Sequence, residues 1–322
     1  MTSFVLSKLL RLPMMRDQEH WGRKLQIAQM GDASQRCPTC GSTEKRQPLI
    51  AVQADPKVEY LECPNCRGCS TSWMPTSSYL AEYYGSYYQP EGPKVTFPSS
   101  IGRFARHIAQ STLSRFTGST LRILDFGGGD GTIAKEIAVD FLASHPGSTA
   151  KVLVADYLEP AHFVRDRLEF ASVRTLEQAP PASFDLIVAS AICEHVPNLA
   201  ATLPLLFRAA APGGMVYIRV PWVLPLKRWF PSVPLLWPMH VHDLGPAFWN
   251  RLPERGVLRG DIFRSRPPLS ETEFRQHFLL TLASHLMKMP ARLELRLRRH
   301  PRNCWWKLVA GWEVIYRLTG RA

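Results

Sequence analysis

No stretch of the chain reaches the ~18 consecutive apolar residues of a membrane-spanning helix, which argues against a helix that crosses the bilayer. Residues 1–31 carry no basic segment ahead of a long apolar core, so no secretory leader is expected. The expected location is therefore the cytoplasm, with any membrane contact peripheral to its inner face. Cysteine is scarce outside one short window: of seven, five fall between Cys37 and Cys69. An odd number clustered in this way excludes the disulfide framework of a small secreted protein and points to a metal site. Acid is in short supply, with 27 Asp and Glu against 39 Lys and Arg and a net charge of +12. That balance suits phosphate, nucleic acid or an anionic membrane surface, but charge alone does not separate these from a generally basic proteome. No nucleic-acid recognition motif stands out, so nucleic acid is not the expected partner. Charged residues make up 20% and hydrophobic residues 45%, which excludes wholesale disorder. The 322 residues suffice for one large domain or two smaller ones.

What is present is organised around residues 121–138, LRILDFGGGDGTIAKEIA. The pattern reads as a strand, a tight turn and a helix. Gly127, Gly129 and Gly131 remove side chains where the backbone must turn and a ligand approaches. The helix start offers free N–H groups to that ligand, and Asp125 stands at the carboxyl end of the strand, where open α/β sheets bind. A dinucleotide fingerprint would place glycine at its sixth position; here that position is Thr132, and the spacing is G-x-G-x-G.

Two Cys-x-x-Cys knuckles precede this domain, CPTC at Cys37 and Cys40 and CPNC at Cys63 and Cys66. Four thiolates so spaced make a closed, structural tetrahedral zinc site. Cys69 lies three residues past Cys66 and is an alternative ligand; Cys63 and Cys66 are preferred because they follow the apolar VEYL segment. Residues 79–89, YLAEYYGSYYQ, read as an aromatic helix packing this lobe onto the next domain. Residues 101–116 read as a helix with Phe104, Ile108 and Leu113 apolar, one wall of the ligand cleft. Ahead of the knuckles, Phe4, Val5, Leu6, Leu9, Leu10 and Leu12 suggest a short amphipathic helix.

Beyond the glycine turn the chain alternates as βαβα should. A second strand, 151–155, ends in Asp156, whose carboxylate can accept two hydrogen bonds from one ribose. The span from Asp125 to Asp156 exceeds the usual ~20 residues, and HPGS at 145–148 is read as an enlarged loop. Residues 160–170 read as a second helix with Pro160 in its first turn, and 172–180 hold a short third strand. A fourth strand, 184–189, is followed by Ser190, Ala191, Glu194 and His195; a helix to about 211, a PGG turn and a fifth strand come next. Residues 256–264 read as a late strand, about 271–288 as a long helix, and 311–318 as a final strand at an antiparallel edge. The tail around them is basic and holds Trp305, Trp306 and Trp312, so an interfacial helix is the alternative.

The LDF–G-x-G-x-G turn and the FDLI…EHV string resemble the first and fourth-strand motifs of class I S-adenosylmethionine-dependent methyltransferases. With the zinc-ribbon lobe, and with Leu80, Tyr84 and Tyr88 spaced as they are from Cys66, the chain is similar to a bacterial group linked with small-molecule and surface-glycan metabolism. The resemblance implies an α/β fold, a Rossmann-like doubly wound seven-stranded sheet with a small N-terminal zinc-ribbon lobe. It implies S-adenosyl-L-methionine as cofactor, held by Asp125, Gly127, Gly129, Gly131, Asp156, Tyr157 and Ser190, with the adenine near residues 175–177. It implies structural Zn2+ on Cys37, Cys40, Cys63 and Cys66. His195, just past a strand's carboxyl end, is the first candidate base, with capping of the next helix as its structural alternative. His240 matches the family's later histidine; His242 matches less clearly. Some quinone-pathway relatives carry Glu-x-x-Glu-His here to support a metal, and this chain has Ala191 in the first position.

The expected organisation is an N-terminal extension (1–32), a zinc-ribbon lobe and Tyr-rich segment (33–90), a methyltransferase domain (91–270) and a basic C-terminal helix and strand (271–322). Within the domain, the Pro- and Trp-rich 221–245 is expected to be a lid or an apolar substrate wall. The expected reaction is methyl transfer to oxygen on a small-molecule, glycan or lipid-linked acceptor. The rivals are an RNA methyltransferase using the zinc lobe and basic tail, and a non-catalytic cofactor-binding scaffold.

Overall fold

The computed structural model describes residues 24–87, 101–157, 161–270, 272–275, 277–298 and 304–319. The expected amphipathic helix around Phe4–Leu12, the Pro/Ser-rich 91–100 and Tyr88 lie outside these residues.

Eight strands make the main sheet: β6 (Thr120–Phe126), β7 (Thr149–Ala155), β8 (His162–Arg165), β9 (Leu168–Val173), β10 (Phe184–Ser190), β11 (Ala210–Pro221), β13 (Gly260–Arg266) and β14 (Gly311–Leu318). Their spatial order is β13-β14-β11-β10-β6-β7-β9-β8. The five central strands are parallel; β14, β13 and β8 run antiparallel to their neighbours. Successive residues of β10 alternate between two cores. Leu186 and Val188 join Ile123, Val152, Ile108 and Ile137 on one face, while Ile187 and Ala189 join Leu203, Leu206, Val216 and Trp312 on the other. A strand buried on both sides needs an unbroken apolar run, which is why FDLIVAS reads as it does. Helices α2 (Ile101–Thr112) and α3 (Thr132–Ser144) cover the first face, and α4 (Leu199–Ala209) covers the second.

Three expectations are corrected here. The helix expected over 160–170 is a hairpin, β8 with β9, turning at Asp166 with φ 52°. Phe163 stacks on Phe170 across the pair at 4.9 Å, and such cross-strand aromatic pairs stabilise a sheet edge. The sheet therefore has eight strands, not seven. The long helix expected at 271–288 is α7, Phe278–Leu297, which starts later and runs on through Pro290. Residues 311–318 form β14, inserted between β11 and β13, so the interfacial-helix alternative for that segment falls.

The N-terminal lobe is an antiparallel sheet of β2 (Gln47–Gln53), β3 (Val58–Glu62), β4 (Cys69–Thr71) and β12 (His242–Asp243), beside a pair of β1 (Met30–Asp32) and β5 (Trp73–Pro75). Helix α1 (Ser77–Tyr87) follows. Strand β12 comes from the segment expected to be a lid or an apolar substrate wall. That segment carries the short helix α5 (Leu224–Trp229), and α6 (Pro246–Trp249) follows it. Trp222, Trp237, Met239 and Val241 are buried, and Trp237 and Val241 pack with Leu25, Met30, Val58 and Met74 of the lobe. The Trp-rich stretch is thus a wall shared by lobe and domain. A mobile lid would expose apolar area that this arrangement removes from water.

Candidate functional site

The carboxyl ends of β6, β7 and β10 lie side by side, and the turns after them make the cleft. After β6, Gly127 N–H donates to the Ala155 carbonyl at 2.9 Å and fixes the turn against β7. A Cβ on Gly128 would fall 2.3 Å from the Asp125 carboxylate, so only glycine fits beside that acid. A Cβ on Gly127, whose φ is 69°, would fall 2.4 Å from Ile192, which covers the loop from the β10 side. Asp130 Oδ1 accepts from the backbone N–H and hydroxyl of Thr132, the first residue of α3.

Asp125 is buried, and its Oδ2 has no hydrogen-bond partner. Burial, then the charge of Asp156, pushes its carboxyl up to about 7. Asp156 ends β7; its Oδ2 accepts from Gly129 N–H at 2.8 Å and its Oδ1 from Tyr157 N–H at 2.6 Å. The Tyr157 ring stacks on Tyr84 of α1, with centroids 5.2 Å apart and planes 9° apart. Ser190 closes β10, half-buried, in register with Arg219 of β11. The structure thus brings Asp125, the glycine turn, Asp156, Tyr157 and Ser190 to one edge of the sheet. Two carboxyl groups beside a side-chain-free backbone fit a ligand that carries an ammonium group and a ribose diol, and the unpartnered Asp125 Oδ2 is an oxygen such a group would satisfy. Residues 175–177 lie at a short turn past β9.

Next to this edge sits a second cluster. Ala191 takes φ 56° and turns the chain, and Glu194, His195 and His240 come together with their polar atoms within 4.8 Å of one another. His195 Nδ1 lies 3.0 Å from the Met239 carbonyl. A carbonyl only accepts, so Nδ1 carries the proton and Nε2 is left with a lone pair. Nε2 lies 3.8 Å from Glu194 Oε1, and the His195 and His240 rings meet edge to face at 4.7 Å. Burial lowers His195 to about 4, and burial plus His195 keeps His240 low as well, so both are neutral at pH 7. Burial raises Glu194 to about 8, and its Oε2 is buried without a partner. Two neutral imidazoles and a carboxyl can move a proton; the same donor types can hold a divalent cation. His242, by contrast, places Nε2 2.7 Å from the Val196 carbonyl and holds structure.

Glu194, Gly128, Ile192 and Tyr84 were not singled out from sequence as site residues. Glu194 lies within the EHV string and Gly128 within the glycine turn. Tyr84 stacks on Tyr157, the residue after Asp156, which places α1 over the cofactor edge.

In the lobe, Cys37, Cys40, Cys63 and Cys66 gather with all Sγ atoms within 4.8 Å. Cys37 to Cys66 is 3.7 Å and Cys40 to Cys63 is 3.8 Å. A tetrahedral ion with Zn–S of about 2.3 Å needs sulfurs about 3.8 Å apart, so the set fits. Cys69 lies outside it, on β4. Thr39 Oγ1 at 3.0 Å from Cys37 and the Gly68 N–H donating to Cys66 at 3.3 Å support the sulfurs.

Residues 101–251 match the family described as "Methyltransferase domain". Among solved structures, the chain is similar to the [4+2]-cyclase SpnF at 18% identity, over 77% of this chain and 98% of that one, with a TM-score of 0.46. It is similar to Haemonchus contortus phosphoethanolamine N-methyltransferase 2 in complex with S-adenosyl-L-methionine at 14%, over 79% and 63%, with a TM-score of 0.40. It is also similar to the CurJ carbon methyltransferase at 12%, over 68% and 54%, with a TM-score of 0.39. No curated protein matches the chain.

Proposed function

From a chain that is a class I S-adenosylmethionine-dependent methyltransferase, we propose an enzyme that methylates a hydroxyl oxygen on a small-molecule or glycan acceptor, with His195 as general base. S-adenosylmethionine, when bound, supplies an electrophilic methyl group. Asp125, the 127–131 turn, Asp156, Tyr157 and Ser190 would hold it. The remaining work is to place a nucleophile and take its proton.

The observation that carries this reading is the His195 Nδ1 contact with the Met239 carbonyl, which aims an unprotonated Nε2 at the space beside Glu194. An acceptor O–H in that space gives its proton to Nε2. The positive charge then forms on the imidazole 3.8 Å from Glu194 Oε1, an acceptor oxygen that faces it. His240, edge-on to His195, orients the ring and the acceptor. The four cysteines would hold a structural zinc ion. The RNA alternative is less favoured, because the lobe spends β4 and Tyr60 on the wall beside the site.

Calorimetric titration with S-adenosylmethionine tests the premise on wild type and Asp156→Ala, with zinc measured on the same samples. Labelled-methyl transfer to hydroxylated sugars and phenols, using wild type and His195→Ala, tests the reaction. Expected are one zinc per chain, and at least a hundredfold loss of turnover in His195→Ala with cofactor affinity kept. Cofactor binding without transfer to any acceptor would favour the scaffold.

A further inference from the structure

Helix α7 is turned the wrong way round for a helix at the edge of a soluble domain. The residues it buries are Thr281, Lys288 and Ala291. Toward solvent it shows Leu279, Leu282, Leu286, Met289, Leu293 and Leu297, spaced three or four apart along one side. Leu279 is 72% and Leu297 85% exposed. Aromatic residues continue the surface at both ends. Phe274 and Phe278 are exposed at the start, and Trp305 and Trp306 beyond the end; Trp305 is 75% exposed. Trp306 Nε1 donates to the Met287 carbonyl at 2.8 Å, so that ring lies along the helix.

Cations flank the C-terminal half of the stripe. Arg296 and Arg298 sit at its C-terminal half, and the Arg298 guanidinium lies 3.8 Å from the Trp305 ring centroid. The helix's one acid, Glu294, is taken up by the N–H groups of Trp305 and Trp306 and by Arg298. A second copy is a poor occupant. Parallel pairing would set these arginines against themselves, and antiparallel pairing would set them against residues 278–287, which include no carboxylate. A charged head group layer above an apolar interior meets both features together.

We infer that the exposed side of α7, with Phe274, Trp305 and Trp306, is a docking face for an anionic lipid bilayer. The helix would lie in the plane of the interface, since among the described residues no helix is long and apolar enough to cross a membrane. The inference is independent of which acceptor the enzyme uses.

The test is co-sedimentation of the full chain with vesicles of phosphatidylcholine alone or with one-third phosphatidylglycerol, for wild type and Leu286→Glu/Leu293→Glu. Both substituted positions face solvent, so the variant is expected to keep its thermal midpoint and its cofactor affinity. Expected are binding to the anionic vesicles at least tenfold stronger than to the neutral ones, weakening with salt, and at least tenfold loss in the double variant. Absence of binding by folded wild type, or binding unchanged in the variant, overturns the inference. So does a wild-type dimer in sedimentation velocity that the variant abolishes, because a second copy would then cover the stripe.

Discussion

The Tyr60 hydroxyl donates to the backbone carbonyl of His240 at 2.5 Å. It links β3 of the cysteine lobe to a residue of the proposed site 180 positions later in the chain. Around it, Thr71 N–H donates to the Val241 carbonyl, β12 pairs with β4, and the N–H groups of Val241 and His242 donate to the Glu194 carbonyl. The lobe therefore braces His240, and through it the loop that carries Glu194.

This brace predicts a split between turnover and cofactor binding. Tyr60→Phe leaves a half-buried carbonyl without this donor, at a cost of about 1 kcal/mol, and is expected to lower kcat about tenfold or more. Affinity for S-adenosylmethionine should stay within twofold, because the Asp125 and Asp156 edge is untouched. Zinc removal by a chelator should have the same signature in larger measure. Steady-state kinetics beside calorimetry checks both, and equal losses in kcat and affinity would refute the brace.

Gly128→Ala should be the most damaging small change in the cofactor turn. Its added Cβ would meet the Asp125 carboxylate at 2.3 Å, and the opposing atoms are a buried acid on a central strand that has no room to retreat. The expected result is at least a tenfold rise in the cofactor's Kd. Gly129→Ala meets no atom within 4 Å and bears only the cost of φ 57°, so it should be milder. Titration of both variants checks the order.

A buried network away from the cleft carries stability. Glu313 of β14 accepts from Tyr217 at 3.1 Å, pairs with His107 at 2.9 Å and is held by Arg266. Burial pushes its carboxyl up, but His107 and Arg266 outweigh that and hold it below its ordinary value. The stability it adds is present above the unfolded carboxyl's pKa and is lost as pH falls through the folded one. Glu313→Ala strands Arg266 and is expected to cost about 3 kcal/mol, measured by urea unfolding at pH 7. A change under 1 kcal/mol would mean the network is dispensable.

The sheet, the glycine turn and the cysteine set were legible because each rests on local pattern: apolar runs, glycine spacing and Cys-x-x-Cys. The hairpin at 162–173 was not, because Pro160 suits a helix start and the pairing of Phe163 with Phe170 is invisible until the strands meet. Nor was the choice at 221–245 legible, since a Trp-rich stretch reads alike as lid or apolar wall until its partner, the lobe's Met30, Val58 and Met74, is in place. His195 was readable from its motif. Its base-ready tautomer was not, because that depends on the Met239 carbonyl, 44 residues away in sequence.

That tautomer also separates His195 from Glu194 as the proton acceptor. Burial raises Glu194 to about 8, so the folded protein holds its proton while the unfolded chain, with an ordinary value near ~4.3, has released it. Its contribution is therefore full below the unfolded pKa and is lost as pH rises toward 8. Asp125 and Asp243, both raised to about 7 by burial, act with the same sign but finish ionising earlier. Glu194→Gln has no proton to lose. Its stability relative to wild type should therefore grow from pH 5 to pH 8 in urea unfolding, and a flat difference would contradict the buried protonated acid. The same variant tests the chemistry. At pH 7 the wild-type carboxyl is already neutral, so Gln keeps its shape and should retain kcat within about fivefold, whereas His195→Ala should lose a hundredfold or more. If Glu194→Gln instead falls as far as His195→Ala, the proton goes to the carboxylate, and His195 is the group that positions it.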